Sequence, residues 1–174
     1  MNELTETHPG SWILVAGPRT IRKTMSTFVA RLAERGPVRV LDCGNQFNAY
    51  YVARQVRGHF DVLQRISVSR AFTCYQVVAT LEKATCGQAP FIMLDLLSTF
   101  YDENVNFAER RRLLERCISQ ITRLSTQSGG AISIHPPAIV SLEAEQLFAI
   151  LSDAAPELWS QELPAPIFQP WRLF

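Results

Sequence analysis

The feature that most limits what this chain can fold into is a rhythm of short apolar runs separated by longer amphipathic stretches. "SWILVAG", "PVRVLDCG", "PFIMLDLL" and "AISIH" are of strand length and mostly apolar without polar alternation. Runs of that kind belong to strands covered on both faces. The stretches between them carry helical spacing. From about Lys23 to Arg35 the apolar positions Met25, Phe28, Val29 and Leu32 recur every three or four residues, with Gly36-Pro37 as a stop. "FNAYYVARQV" places Phe47, Tyr50 and Tyr51 near one helix face and marks them as core residues before any stacking role, and "DVLQRISV" reads as a weaker third strand. A helix is expected over Ala71 to Ala84. The clearest helix carries the stripe Leu113, Leu114, Cys117, Ile118, Ile121 and Leu124, and Gly129-Gly130 ends it. A last helix runs from Glu143 to Leu151. Strand alternating with helix predicts an α/β fold, a mainly parallel β-sheet sandwiched by helices.

A chain of 174 residues suits one domain with a sizeable core. The expected division is a flexible N-terminus over 1–10 and a single domain over 11–174. That domain closes on a proline-rich C-terminal tail from about 156, whose aromatics Trp159, Phe168, Trp171 and Phe174 suit an edge strand or an interface arm. Hydrophobic residues make up 47% and charged residues 19%, an ordinary globular composition. The net charge of +1 supplies no global attraction to nucleic acid or an anionic membrane. The cysteines Cys43, Cys74, Cys86 and Cys117 are widely spaced without C-x-x-C, which argues against a zinc site or a disulfide framework. Acids in "MNELTETHPGS" and apolar runs too short to span a bilayer lead to the expectation of a cytoplasmic protein without a membrane partner.

Chemistry enters at "VAGPRTIRKTMS". A phosphate-binding loop reads G-x-x-x-x-G-K-[ST] between a buried strand and a helix, with backbone N–H groups wrapping the anion, Lys on the phosphates and the hydroxyl on magnesium. Gly17, Lys23 and Thr24 match this pattern, with Thr20 inside the loop, and Arg22 stands where the second Gly belongs. A side chain there crowds the turn. Yet Arg19, Arg22 and Lys23 gather positive charge where phosphates would sit. Asp95, ending the apolar run of "FIMLDLL", stands where such proteins hold magnesium.

The order of "VLDCGNQFNAYYVAR", "SRAFTCYQVVATLE" and "FIMLDLLSTFY…ERRRLLERCISQITRLS" after the loop resembles the core of the RecA-like strand-exchange ATPases over roughly Trp12 to Pro137. In that family an Asp-x-Glu-Gly-x-Phe stretch closes the second strand and an Arg-Ala-Phe stretch precedes the next helix. The resemblance implies a P-loop NTPase core binding ATP through Gly17, Thr20, Arg22, Lys23 and Thr24. It also implies Mg2+ on Thr24 and Asp95, and His135 as a candidate γ-phosphate sensor.

The departures alter the expectation. The family's catalytic glutamate falls on Gly44, and Pro136-Pro137 leaves little room for its second DNA-contacting loop. Asp102 and Glu103 put acids where its first DNA loop lies. The arginines of "ERRRLLER" are interleaved with glutamates at helical spacing, as on a solvated helix face. The expectation is therefore a nucleotide-binding domain with slow or lost hydrolysis, at most a weak ATPase, inheriting a link to DNA recombination and repair. The alternative is a non-catalytic adaptor that assembles with itself or with a related RecA-like partner, without nucleotide. DNA binding is a third reading, without the loops or charge to carry it.

Overall fold

The computed structural model describes residues 6–161 apart from 58 and 138. Five runs form the strands β1 (Trp12–Ala16), β2 (Val38–Asp42), β3 (Ile66–Arg70), β4 (Phe91–Leu94) and β5 (Gly130–Ile134), and β6 (Glu157–Ser160) completes a six-stranded sheet. All of the pairings are parallel, and the strand order is β3-β2-β4-β5-β1-β6. The α/β sandwich expected from the apolar rhythm is therefore present.

Six helices connect the strands: α1 (Ile21–Arg35), α2 (Ala49–Gln55), α3 (Phe60–Leu63), α4 (Cys74–Lys83), α5 (Phe107–Ser125) and α6 (Leu142–Ala154). Alternate side chains of each buried strand feed two separate cores. Val15, Val40, Ile92 and Ala131 pack with Phe28 and Val29 of α1, Val52 of α2 and Val62 of α3. Leu14, Leu41, Met93 and Ile132 pack on the other face with Val77 of α4, Leu114 and Ile121 of α5, and Leu147 of α6. The chain thus travels from β1 to β3 with its helices on one face, then reverses and travels out to β6 with its helices on the other. The reversal makes neighbouring strands part company at their carboxyl ends twice, between β1 and β5 and between β2 and β4. Crevices at such points are where open α/β sheets take ligands.

Three local features differ from the sequence reading. "DVLQRISV" is not one strand. It divides into the end of α3 and the strand β3, because Arg65 turns back to donate to the carbonyls of Ala33 and Glu34 and to the Asp61 carboxylate. Tyr50 is 72% exposed and no core residue, since the seven-residue α2 buries only Val52. Helix α1 begins at Ile21, two residues earlier than its apolar stripe indicates. Within the N-terminal stretch, Glu6 pairs with Arg35 and the Gly10 N–H donates to Ser125 O at 2.6 Å. Tail residues 162–174, including Phe168, Trp171 and Phe174, lie outside the described residues. Trp159 sits in β6, half-buried against the α1 core.

Candidate functional site

The fold brings Gly17, Asp42, Gly44, Asp95 and His135 to one edge of the sheet, because each lies at or just past the carboxyl end of a strand. Asp95 follows β4 in a left-handed conformation (φ 55°), sparsely populated for a residue with a Cβ. A 3-10 turn from Leu96 to Phe100 leads away from it. Its backbone N–H donates to Ser133 Oγ at 3.0 Å. Its carboxylate accepts from the His135 N–H (3.3 Å) and from Gln46 Nε2 (3.3 Å), so β2, β4 and β5 are tied through one side chain. Burial pushes the Asp95 carboxyl above its ordinary value, opposed by His135, by the hydrogen bonds from His135 and Gln46, and by Arg22.

Gly44 lies against that carboxylate. A Cβ built at residue 44 would stand 2.4 Å from Asp95 Oδ2 and 2.6 Å from Asp95 Cβ. The position where the family resemblance puts the water-orienting glutamate therefore has no room for a side chain while Asp95 keeps its place. Asp42 plays a different part. It is 1% exposed, accepts the backbone N–H groups of Gln46 (2.8 Å) and Phe47 (3.0 Å), and meets Arg70 at 3.5 Å. The acid of the "LDCGNQF" stretch thus folds the loop that carries Gly44 and Gln46 under Asp95. Cys43 is buried beside these acids, and desolvation raises its thiol well above the ordinary range, so it is no ready nucleophile.

The loop at Gly17 is wound tightly. The Gly17 N–H donates to Ile134 O, and the amides of Ile21, Arg22 and Lys23 donate back to the carbonyls of Pro18, Arg19 and Thr20 at 2.9–3.3 Å. Pro18 has no N–H to offer. Helices α2, α4, α5 and α6 each start on an Asn, Thr or Ser whose side chain accepts a backbone N–H, whereas Thr20 makes no such cap on α1. Arg19, Thr20, Arg22 and Lys23 are exposed and Thr24 is half-buried. His135, 6% exposed, connects the loop to the aspartate. Its Nδ1 lies 3.3 Å from Gly17 O, a carbonyl that can only accept, so Nδ1 carries the hydrogen.

All the residues expected at the site therefore lie at one edge. Asp95, His135 and Gly17 are joined by hydrogen bonds, while Lys23 and Thr24 sit one turn into α1. Among the described residues there is no cluster of three or more His, Cys, Asp or Glu fit for a metal. Magnesium held by a hydroxyl, an aspartate, water and phosphate oxygens requires no such cluster. Sequence reasoning missed Gln46 and Ser133, which hold Asp95 in place; polar residues in or beside loops gave no signal. It also missed Arg110, 4% exposed, which pairs with Glu143 and donates to Phe100 O, joining α5 to α6. The other arginines of "ERRRLLER" pair with glutamates, Arg111 with Glu115, Arg112 with Glu109 and Arg116 with Glu82. Asn104 donates to Asp102 and holds its carboxyl below the usual value. No family model matches the chain, and no curated protein matches it either. No helix among the described residues is long and apolar enough to cross a membrane.

Proposed function

We propose that this chain is a RecA-like domain that works by binding and not by hydrolysis, an adaptor for a second copy of itself or a related RecA-like protein. The contact of Gly44 with Asp95 carries this reading. Orienting the attacking water supplies much of the rate in phosphoryl transfer. Here the residue in position to do so has no side chain, and the neighbouring carboxylate fills the space one would need. The wound loop points the same way. The amides that a phosphate cup would present, those of Ile21, Arg22 and Lys23, are engaged with carbonyls of the loop itself. As it stands, the loop does not fit a triphosphate.

A surface for assembly is at hand. Strand β3 ends the sheet, and Ser67 to Arg70 are exposed along it. Phe72 just beyond is 72% exposed and Tyr75 is 50% exposed. An edge of this kind accepts an added strand.

A second reading, nucleotide binding without turnover, draws on the exposed charges of Arg19, Arg22 and Lys23 beside Asp95, which Arg22 reaches electrostatically. The loop would then have to unwind to free its amides. Calorimetry with Mg·ATP and Mg·ADP on the native chain and Lys23→Ala, beside a turnover assay and sedimentation, decides between them. The adaptor reading expects no heat at millimolar nucleotide, no turnover and concentration-dependent assembly. Micromolar binding lost in Lys23→Ala establishes the second reading, and turnover above background overturns both.

A further inference from the structure

Beyond the Asp95 site, the carboxyl ends of β5, β1 and β6 and the flank of α6 frame a cavity of about 350 Å³. It lies at the β1–β5 crevice, where neighbouring strands part company and open α/β sheets take ligands. Its volume is at the small end of the range for small-molecule sites, about 300–1,000 Å³. Ala16, Ile134, Pro136, Val140 and Phe148 make the walls chiefly apolar. Among the described residues that line it there is no Lys or Arg, and the charged residue there, Glu145, is negative and exposed. A phosphate or carboxylate would lose its water in this cavity without gaining a cation, so the walls favour an uncharged, largely apolar occupant.

His135 supplies the polar point inside. It lines the cavity and is 6% exposed. Its backbone N–H donates to Asp95, its carbonyl accepts from the Tyr101 hydroxyl, and its Nδ1 donates to Gly17 O. None of these bonds uses Nε2. With the hydrogen on Nδ1, Nε2 of the neutral ring is an acceptor. A nearly buried ring nitrogen without a partner costs free energy that a ligand N–H or O–H recovers. Ser160 and Gln161, which also line the cavity, are exposed. The rings of Tyr101 and Phe148 on its wall suit an aromatic ligand.

We propose that this cavity binds a small, uncharged aromatic molecule with a single N–H or O–H donor, of the indole and phenol class. Apolar walls hold the ring, and the donor bonds to His135 Nε2. The site calls for no phosphate and stands whether or not the chain binds nucleotide.

Calorimetry on the full chain at about pH 8, which keeps imidazoles neutral, tests this. The probes are indole and benzofuran, a molecule of the same shape without the N–H. Phe148→Asp and Val140→Asp place a carboxylate on the apolar wall at exposed positions, where folding tolerates it. In the native chain the nitrogen chemical shift of His135 Nε2 reports directly on the proposed bond. Indole is expected to bind with a Kd at or below about 1 mM, and benzofuran at least about tenfold more weakly. The Nε2 shift should move with indole and not with benzofuran, and both variants should lose at least about tenfold in indole affinity. Equal affinity for the two probes, or an Nε2 signal that indole leaves unmoved, overturns the proposal, and this comparison needs no variant to fold. Absence of indole binding at several millimolar overturns it too. Binding unchanged in both folded variants refutes it equally, because indole then sits elsewhere.

Discussion

Replacing Gly44 by Ala adds one methyl group at the place where the site has least room. The three nearest atoms to the new Cβ all belong to the Asp95 side chain, at 2.4, 2.6 and 2.9 Å, and two of them, Cβ and Cγ, cannot swing away as a flexible tip would. Asp95 must therefore move, and its carboxylate then leaves the His135 N–H and Gln46 Nε2. Overpacking of this kind costs about 1–3 kcal/mol. Hydrogen bonds to a charged group are worth about 1.5–3 kcal/mol each, and at 3.3 Å these two lie at or below the low end. Counted at about 0.5 kcal/mol each for their length, they bring the sum for Gly44→Ala to about 2–4 kcal/mol, or a Tm lower by about 5–15 °C for a chain of this size.

A double-mutant cycle isolates the cause. Asp95→Gly removes every one of those close atoms and suits the positive φ at that position. In that background Gly44→Ala is expected to cost less than about 1 kcal/mol, a coupling of about 1.5–3 kcal/mol. Urea unfolding of the four proteins, at matched m-values, measures it. Equal costs in the two backgrounds, or a cost below about 0.5 kcal/mol in the native chain, would refute the steric argument and with it the support for the proposed absence of hydrolysis. Gly44→Glu, which puts a carboxylate at the position where the resemblance to the RecA-like ATPases would have one, is expected to bring destabilisation and no turnover.

Other sites give independent checks. Because the Asp95 carboxyl is raised when folded, its contribution to stability is fullest below the unfolded value of 3.8 and is lost as pH rises through the folded pKa, so Asp95→Asn should gain on the native chain as pH increases above 3.8. Parallel curves of stability against pH would contradict this. Asp42→Ala should cost about 2–4 kcal/mol by leaving two loop amides without their acceptor, whereas Arg70→Ala, at the half-exposed end of the same pair, should cost below about 1 kcal/mol. Chemical unfolding that ranks them the other way would place the weight on the ion pair. Gly130→Ala sets a Cβ 2.2 Å from the Phe91 ring across the β4–β5 pair and should cost about 2–3 kcal/mol, much of it recovered with Phe91→Leu and read by thermal unfolding. An unchanged Tm for Gly130→Ala would show that the ring yields without cost.

The strands could be read from the chain because β1, β4 and β5 are covered on both faces, and double coverage writes itself as an uninterrupted apolar run. Helix α3 could not. Four residues are about one turn, too few for a 3.6-residue period to show, and Val62-Leu63 next to Ile66 mimics a longer strand. Tyr50 failed for a related reason, since helical spacing says which residues share a face but not whether a short helix has anything to press that face against. At the site, Gly17, Asp95 and His135 stood out because parallel strands deliver their last residues to one edge, and the ends of apolar runs can be counted along a sequence. Room between those ends cannot be counted in that way. Whether a residue at 44 can carry a side chain depends on how the β2 loop lies under Asp95, and that is set by Asp42 gathering the Gln46 and Phe47 amides and by Ser133 holding the Asp95 backbone. A motif order therefore states which groups meet, while the hydrogen bonds behind them decide how much space remains. In this chain the space at residue 44 is already filled by the Asp95 carboxylate, and the proposed adaptor reading rests on that.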